Sequence, residues 1–316
     1  MWATGQCSTG QFSFFEGSVT KRQPVSVVKI PGAKSIAAGG YHTMVLTREG
    51  LVWAAGWNVY GQLGDGTTSY KTKFSVVITS GAMVVTAGDV HSVMLKQDGS
   101  VWATGRNHNG QLGDGTTHDR SRFVRVMSNG AAALAAGGYH SMVLREDGSI
   151  CTTGWNQYGQ LGDGSKTDRT NYVQILSGGA KAVAAGSRHS LMLKKDGGVW
   201  ATGYNRYGQL GDGSIDDSVV FVRVITGGAK AIAAGAFHSM LLKQDGTVWA
   251  TGSNEDGQLG GASATSYKYF VRLTPVGSVQ NVTGPTILRT TRLSKNIRLL
   301  AFVALLPFEQ HDALDR

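Results

Sequence analysis

Cysteine, proline and charged residues are all scarce in this chain. Two cysteines and five prolines occur in 316 residues, and charged residues make up 16%. Two cysteines cannot build the disulfide framework of a small secreted domain, and so few prolines exclude a collagen triple helix. A charged fraction this low, together with 41% hydrophobic residues, excludes a disordered chain. The sequence is therefore expected to fold around a large core.

Long apolar runs and a secretory signal are missing as well. The longest apolar stretch, residues 299–306, is less than half the ~20 residues that span a bilayer. The amino terminus lacks a basic segment followed by an apolar one. We therefore expect an intracellular protein, cytoplasmic or nuclear, with no membrane partner. The net charge of +9 permits nucleic acid or chromatin as a partner but does not indicate one.

Glycine, in contrast, is abundant, with 45 residues, and several short motifs recur every 49 residues. The tetrapeptide Gly-Gln-Leu-Gly begins at Gly61, Gly110, Gly159, Gly208 and Gly257. Histidines at the same step are His42, His91, His140, His189 and His238. Tryptophans at the same step are Trp53, Trp102, Trp200 and Trp249, with Cys151 in the vacant position. Five unbroken copies indicate a repeat architecture.

Each repeat contains four short apolar or alternating runs separated by glycine-rich or polar turns. In one copy these runs, here called A to D, cover residues 182–185, 189–194, 199–202 and 221–225. Runs B and C are joined by Asp-Gly, which suits a tight hairpin turn. Four strands per 40–50 residues are typical of a propeller blade. The sequence thus predicts an all-β propeller, in which strand A lies nearest the axis and its Ala-Ala-Gly end fits the crowded centre.

The unit AxAAGxxHSxxLxxDGxVWATGxNxxGQLGDG resembles the repeat of the regulator of chromosome condensation (RCC1) family, over residues 1–284. The resemblance implies a propeller, typically of seven blades. It also implies three possible functions: guanine-nucleotide exchange on the Ran GTPase, chromatin attachment, or protein recognition by a propeller face. An exchange factor would need a specialised insertion, whereas the repeat interval here is 49 residues except for the first, of 51.

The number of blades has two interpretations. In one, C and D strands at residues 1–4 and 24–30 join an A strand at 279–283 and a makeshift B strand at 287–291, closing a ring of six blades. In the other, the chain is a fragment of a seven-bladed parent. Residues 285–316 contain no glycine. We expect the repeats to occupy residues 1–284 and a divergent tail to occupy 285–316.

No group of residues suggests catalysis or metal binding. Equivalent histidines in successive blades are expected about 10 Å apart, too far to share one metal ion. The recurring aspartates Asp65, Asp114, Asp163 and Asp212 come from one turn of different blades, where turn hydrogen bonding is expected. We predict no catalytic residues, no metal and no cofactor, and therefore no enzyme.

The positions that differ between repeats cluster in the A–B and C–D loops. These loops emerge on one face because the strands alternate in direction. That face gathers aromatic and arginine side chains, the residue types that anchor protein interfaces. They are Tyr41, Trp57, Tyr60, Tyr139, Trp155, Tyr158, Arg188, Tyr204, Arg206, Tyr207 and Phe237. A competing interpretation is that Trp57, Trp155 and Tyr204 pack against neighbouring loops merely to hold the ring.

The sequence therefore predicts a non-enzymatic protein-interaction scaffold that acts through this face. The alternative is a guanine-nucleotide exchange factor for a Ran-type small GTPase, with chromatin association. In both cases the expected partner is another protein.

Overall fold

The chain folds into antiparallel β-sheets, as predicted. The computed structural model describes residues 2–7, 19–26, 29–260 and 265–273, and within them it contains twenty-two β-strands and no helix. β1 (Trp2–Cys7) and β2 (Val19–Ser26) form a two-stranded sheet. The next twenty strands form five four-stranded sheets, paired in chain order.

Each four-stranded sheet is one blade. Blade 1 contains β3 (Ala33–Ala38), β4 (His42–Thr47), β5 (Val52–Gly56) and β6 (Lys71–Ile78). Blade 2 contains β7 (Ala82–Ala87), β8 (His91–Lys96), β9 (Val101–Gly105) and β10 (Arg120–Met127). Blade 3 contains β11 (Ala131–Ala136), β12 (His140–Arg145), β13 (Ile150–Gly154) and β14 (Arg169–Leu176). Blade 4 contains β15 (Ala180–Ala185), β16 (His189–Lys194), β17 (Val199–Gly203) and β18 (Ser218–Ile225). Blade 5 contains β19 (Ala229–Ala234), β20 (His238–Lys243), β21 (Val248–Ser253) and β22 (Ser266–Arg272).

The outer strand of each blade is longer than the apolar pattern indicates. In blade 4 it begins at Ser218, three residues before the predicted Phe221, because Ser218 pairs with Gly203 across an irregular register. The bounds predicted for the two amino-terminal strands were also wrong. The strands predicted at residues 1–4 and 24–30 are instead β1 and β2, and Ile30 is buried in the turn before β3.

The hydrophobic core is divided among the spaces between adjacent blades. Between blades 1 and 2, Met44 and Leu63 pack in one cluster with Met94. Trp102 and Phe123 cover this cluster, so the repeated aromatic residues fill the space between blades as predicted. The innermost strands of successive blades also contact one another.

In blades 1 to 4 the Gly-Gln-Leu-Gly loop inserts into the next blade. Leu112 is fully buried, and the carbonyl oxygen of Gln111 accepts a 2.7 Å hydrogen bond from Ser141 Oγ of blade 3. The Gly115 amide then bonds to the Thr170 carbonyl at 2.9 Å and covers part of the outer strand of blade 3. These contacts protect an edge that could otherwise pair with another chain.

Glycine in this loop is required by a ring in the neighbouring blade. Gly113 has a φ of +76°, which favours glycine. A Cβ atom on it would lie 2.5 Å from Cε2 of Tyr172. Much of the glycine content therefore reflects contact between blades.

The predicted strands at residues 279–283 and 287–291, and the tail at 285–316, lie outside the described residues. In the part of the chain that is described, no helix is long and apolar enough to cross a membrane.

Candidate functional site

The variable positions of the A–B and C–D loops are paired by backbone hydrogen bonds. In blade 1 the Trp57 amide donates to the Tyr41 carbonyl at 2.9 Å. The same bond recurs from Arg106 to Val90, Trp155 to Tyr139, Tyr204 to Arg188 and Ser253 to Phe237. Each blade thus presents two variable residues side by side on one face.

Aromatic side chains on this face contact one another edge to face. In blade 1 the ring centroids of Tyr41 and Trp57 lie 5.1 Å apart, and those of Trp57 and Tyr60 lie 5.4 Å apart. A second group spans blades 3 to 5, with centroids 4.9–6.2 Å apart. Its members are Tyr139, Trp155, Tyr158, Tyr204, Tyr207 and Phe237.

Two arginines complete this arrangement. Arg106 Cζ lies 5.2 Å from the ring centroid of Tyr60 and 5.4 Å from that of Tyr139, so it joins the two aromatic groups. Arg188 Cζ lies 5.3–5.9 Å from four ring centroids. These rings belong to Trp155, Tyr158, Tyr204 and Phe237. We call this continuous surface, from Tyr41 to Phe237 across five blades, the aromatic face.

The structure brings together all but one of the predicted residues. Arg206 is exposed and lies outside these ring contacts, as far as the described residues show. The prediction also left out Arg106 and His108, whose ring lies 6.1 Å from Tyr60. The signal for Arg106 was present in the sequence, because it occupies the repeat position held by tryptophan in blades 1 and 3.

The three residues of the competing interpretation make packing contacts. Trp57, Trp155 and Tyr204 are half-buried and pack against neighbouring rings. Tyr41, in contrast, is 45% exposed. The face therefore combines packed rings with exposed edges.

The recurring histidines link successive blades. His140 Nε2 lies 2.9 Å from Ser190 Oγ of blade 4, and Ser190 Oγ donates to the Gln160 carbonyl at 2.7 Å. Because the serine proton goes to the carbonyl, the histidine must donate from Nε2, which leaves Nδ1 unprotonated. The same pattern links His42 to Ser92, His91 to Ser141 and His189 to Ser239.

Burial keeps these rings neutral. It lowers the pKa of His140 to about 4 and that of His189 to about 3, where the nearby rings of His238 and His140 add a smaller effect. Among the residues that the structure describes, no group of three or more His, Cys, Asp or Glu side chains could hold a metal ion. The repeated histidines form contacts between blades.

The family follows from a comparison with known domains. A family model described as the RCC1-like domain matches residues 1–296. The chain belongs to this family. No curated protein sequence matches it significantly.

Solved structures share the RCC1-like fold. Human WBSCR16 has a TM-score of 0.71 at 22% identity, with 86% of this chain and 77% of that chain covered. Yeast RCC1 (Prp20), crystallised bound to Kap60, has a TM-score of 0.62 at 19% identity, with 87% and 83% covered. A second structure of Prp20p from Saccharomyces cerevisiae has a TM-score of 0.59 at 18% identity, with 87% and 86% covered. At these identities the likeness concerns the fold.

The aspartates of the RCC1-like repeat hold their own C–D loops, as the sequence predicts. Asp114 accepts hydrogen bonds from Asn107 Nδ2 at 2.9 Å and from Arg120 Nε at 2.7 Å. Burial acts to raise the pKa of Asp114, but hydrogen bonds from Thr116 and Arg120 outweigh it and hold the pKa below its ordinary value. These loops are the supports of the aromatic face.

The hydrogen bond between histidine and serine in successive RCC1-like repeats can be tested by removing the serine hydroxyl. We expect Ser190→Ala to lower the free energy of unfolding by about 2 kcal/mol, because both His140 Nε2 and the Gln160 carbonyl lose their buried partner. Urea denaturation measures the change. Ser128→Ala, at an exposed serine in the turn before β11, is the control and should change stability by less than about 0.5 kcal/mol. Equal effects would contradict the link.

Proposed function

We propose that this RCC1-like propeller is a non-enzymatic scaffold that binds another protein through the aromatic face. The observation that carries the proposal is the continuity of that face: rings and guanidinium groups from five successive blades contact one another on one side of the molecule.

The composition and packing of the face favour protein recognition. Tyrosine, tryptophan and arginine are the residues in which binding energy concentrates at protein interfaces. Rings already fixed by edge-to-face contacts lose little conformational freedom on binding, so less of the interaction energy is offset by ordering. Tyr158, for example, is held by both Trp155 and Tyr204.

The printed descriptions of similar structures point to protein partners of those proteins. Yeast Prp20 was crystallised bound to Kap60, and the second Prp20p structure is described together with its binding to Gsp1p and histones. Because this chain shares their fold, we propose that its partner is also a protein.

Replacing three residues of the face tests the proposal. We expect the combined variant Tyr41→Ala, Tyr139→Ala, Arg188→Ala to lose at least nine-tenths of the partner captured by the wild-type protein from a lysate of its source cells. Quantitative mass spectrometry measures the loss. The melting temperature must stay within about 3 °C of the wild type, since a larger drop would assign these residues to stability alone.

A matched control removes side chains from the opposite face. Lys181 and Lys230 are exposed near the starts of β15 and β19, away from the A–B and C–D loops. Lys181→Ala with Lys230→Ala should leave capture unchanged. Equal loss in the control would contradict binding through the aromatic face.

Nucleotide exchange is the alternative, and the fold shared with Prp20p, described with binding to Gsp1p, brings it into consideration. A release assay with a Ran-type GTPase loaded with fluorescent GDP distinguishes the two. A scaffold leaves the release rate within twofold of the spontaneous rate. Acceleration by several orders of magnitude would overturn the scaffold in favour of an exchange factor.

A further inference from the structure

The two arginines of the aromatic face differ from the arginines that support the loops. Arg120 pairs with Asp114 and Arg169 pairs with Asp163, each at 2.7 Å. Within the described part of the chain, neither Arg106 nor Arg188 has a carboxylate oxygen within 4 Å. Two half-buried cations on one face therefore form no salt bridge with any of the described residues.

The hydrogen-bonding capacity of these guanidinium groups is also largely unused. Arg106 Nε is buried and has no hydrogen-bond partner among the described residues. Arg188 donates from one terminal nitrogen to the Tyr158 hydroxyl at 3.3 Å, a long bond. Partial burial of a cation is unfavourable unless an opposite charge or acceptors compensate for it. An arriving anion would supply both.

The rings between the two arginines set their separation. Arg106 Cζ lies 5.4 Å from the Tyr139 ring centroid, which lies 5.9 Å from that of Trp155, and Arg188 Cζ lies 5.6 Å from the latter. An extended peptide advances about 3.3 Å per residue. A spacing of about five residues between two carboxylates is therefore enough for one extended peptide to reach both arginines.

We propose that the aromatic face binds an acidic peptide segment of its partner, with two carboxylates engaging Arg106 and Arg188 and the intervening side chains lying on Tyr139 and Trp155. This inference rests on the proposed function and adds the chemistry of the partner. Guanidinium and carboxylate groups form charge-assisted, often bidentate hydrogen bonds, and ring centroids lie within 6 Å of each guanidinium carbon.

A protein carboxylate suits the face better than nucleic acid does. A nucleic acid requires many lysines and arginines along its backbone. Here the same C–D loops hold Asp119, Asp168 and Asp217, which accept hydrogen bonds from the backbone amides of Asn107, Asn156 and Asn205. The two guanidinium groups that lie among the rings are too few to follow a run of phosphates, but they are enough to pair with two carboxylates.

A labelled decaglutamate peptide is the probe for this site. We expect fluorescence anisotropy at low ionic strength to show binding that weakens as salt is added. The Arg106→Gln, Arg188→Gln double variant should bind at least tenfold more weakly. Lys181→Gln with Lys230→Gln removes the same charge from the opposite face and should change the affinity by less than twofold. Decalysine should not bind.

Three results would overturn the inference. The first is an equal loss in the lysine variant, which would mean that net charge alone attracts the peptide. The second is arginine-dependent binding of decathymidylate as tight as that of decaglutamate, which would indicate phosphate. The third is arginine-dependent dimerisation of the free protein in sedimentation, which would mean that a second copy covers the face.

Failure of the inference is distinguishable from failure of the proposed function. If the partner is still captured by the Arg106→Gln, Arg188→Gln variant but lost from Tyr41→Ala, Tyr139→Ala, the face binds protein without this carboxylate chemistry. If neither variant affects capture, the proposed function fails as well.

Discussion

Below pH 6.5 the propeller is expected to lose stability steeply. Five buried histidines have pKa values lowered by burial to about 3 or 4, against 6.5 in the unfolded chain. Above pH 6.5 both states are neutral at these rings and stability is independent of them. Between pH 6.5 and about 4 only the unfolded state takes up the protons, so acidification favours unfolding.

The expected magnitude is large. At pH 5 each histidine destabilises the fold by about 2 kcal/mol, and together they remove roughly 10 kcal/mol, comparable to the whole stability of an ordinary domain. Urea midpoints measured from pH 7.5 to 5 test this. Replacing the exposed His118 with glutamine should leave the pH dependence unchanged. A midpoint that stays constant over this range would contradict neutral, buried rings.

Gly137→Ala is expected to be strongly destabilising, because the position has no room for a methyl group. A Cβ at this position would lie 2.2 Å from Cε1 of His140 and 2.5 Å from the carbonyl oxygen of Gly186 in the next blade. The histidine ring cannot move aside without losing Ser190. We expect a loss of about 3 kcal/mol in the free energy of unfolding, at the upper end for overpacking.

Gly178→Ala is the matched control for this substitution. Gly178 lies in the turn before β15, and its nearest neighbour to an added Cβ is the Asp147 carbonyl at 3.5 Å, an ordinary contact. The change should be neutral, or stabilising by up to about 1 kcal/mol through the unfolded chain. Similar losses at Gly137 and Gly178 in urea denaturation would contradict the steric role of the histidine.

The 49-residue period of the sequence predicted the blades because each repeat has the same order of apolar runs and turn motifs. The strands that begin at His140 and His189 start two residues before a continuous apolar run. The outer strands were predicted three residues short, since the early part of each, such as Ser218, is fixed by pairing with Gly203 and not by an apolar pattern. Where strands pair across an irregular register, the sequence shows no apolar periodicity from which the strand could be predicted.

Glycine shows the same division. The sequence placed Gly137 at a crowded centre, but the structure shows that the crowding comes from the ring of His140 and from the neighbouring blade. His140, three positions along the chain, and the Gly186 carbonyl, 49 positions along, both lie against the place where a Cβ of residue 137 would be. Contacts of that kind depend on how blades are stacked, which no single repeat specifies.

By itself, the sequence determined the all-β blade architecture and the face on which the variable aromatic residues lie. Both follow from the order of the strands within one repeat and from a comparison of equivalent positions between repeats. Only the tertiary structure decided that Arg106 and Arg188 lie among these rings with no carboxylate oxygen of the described residues within 4 Å, and that Arg206 makes none of the ring contacts found in the described part of the chain. Those contacts join residues from different blades, and their distances are set by the packing of one sheet against the next.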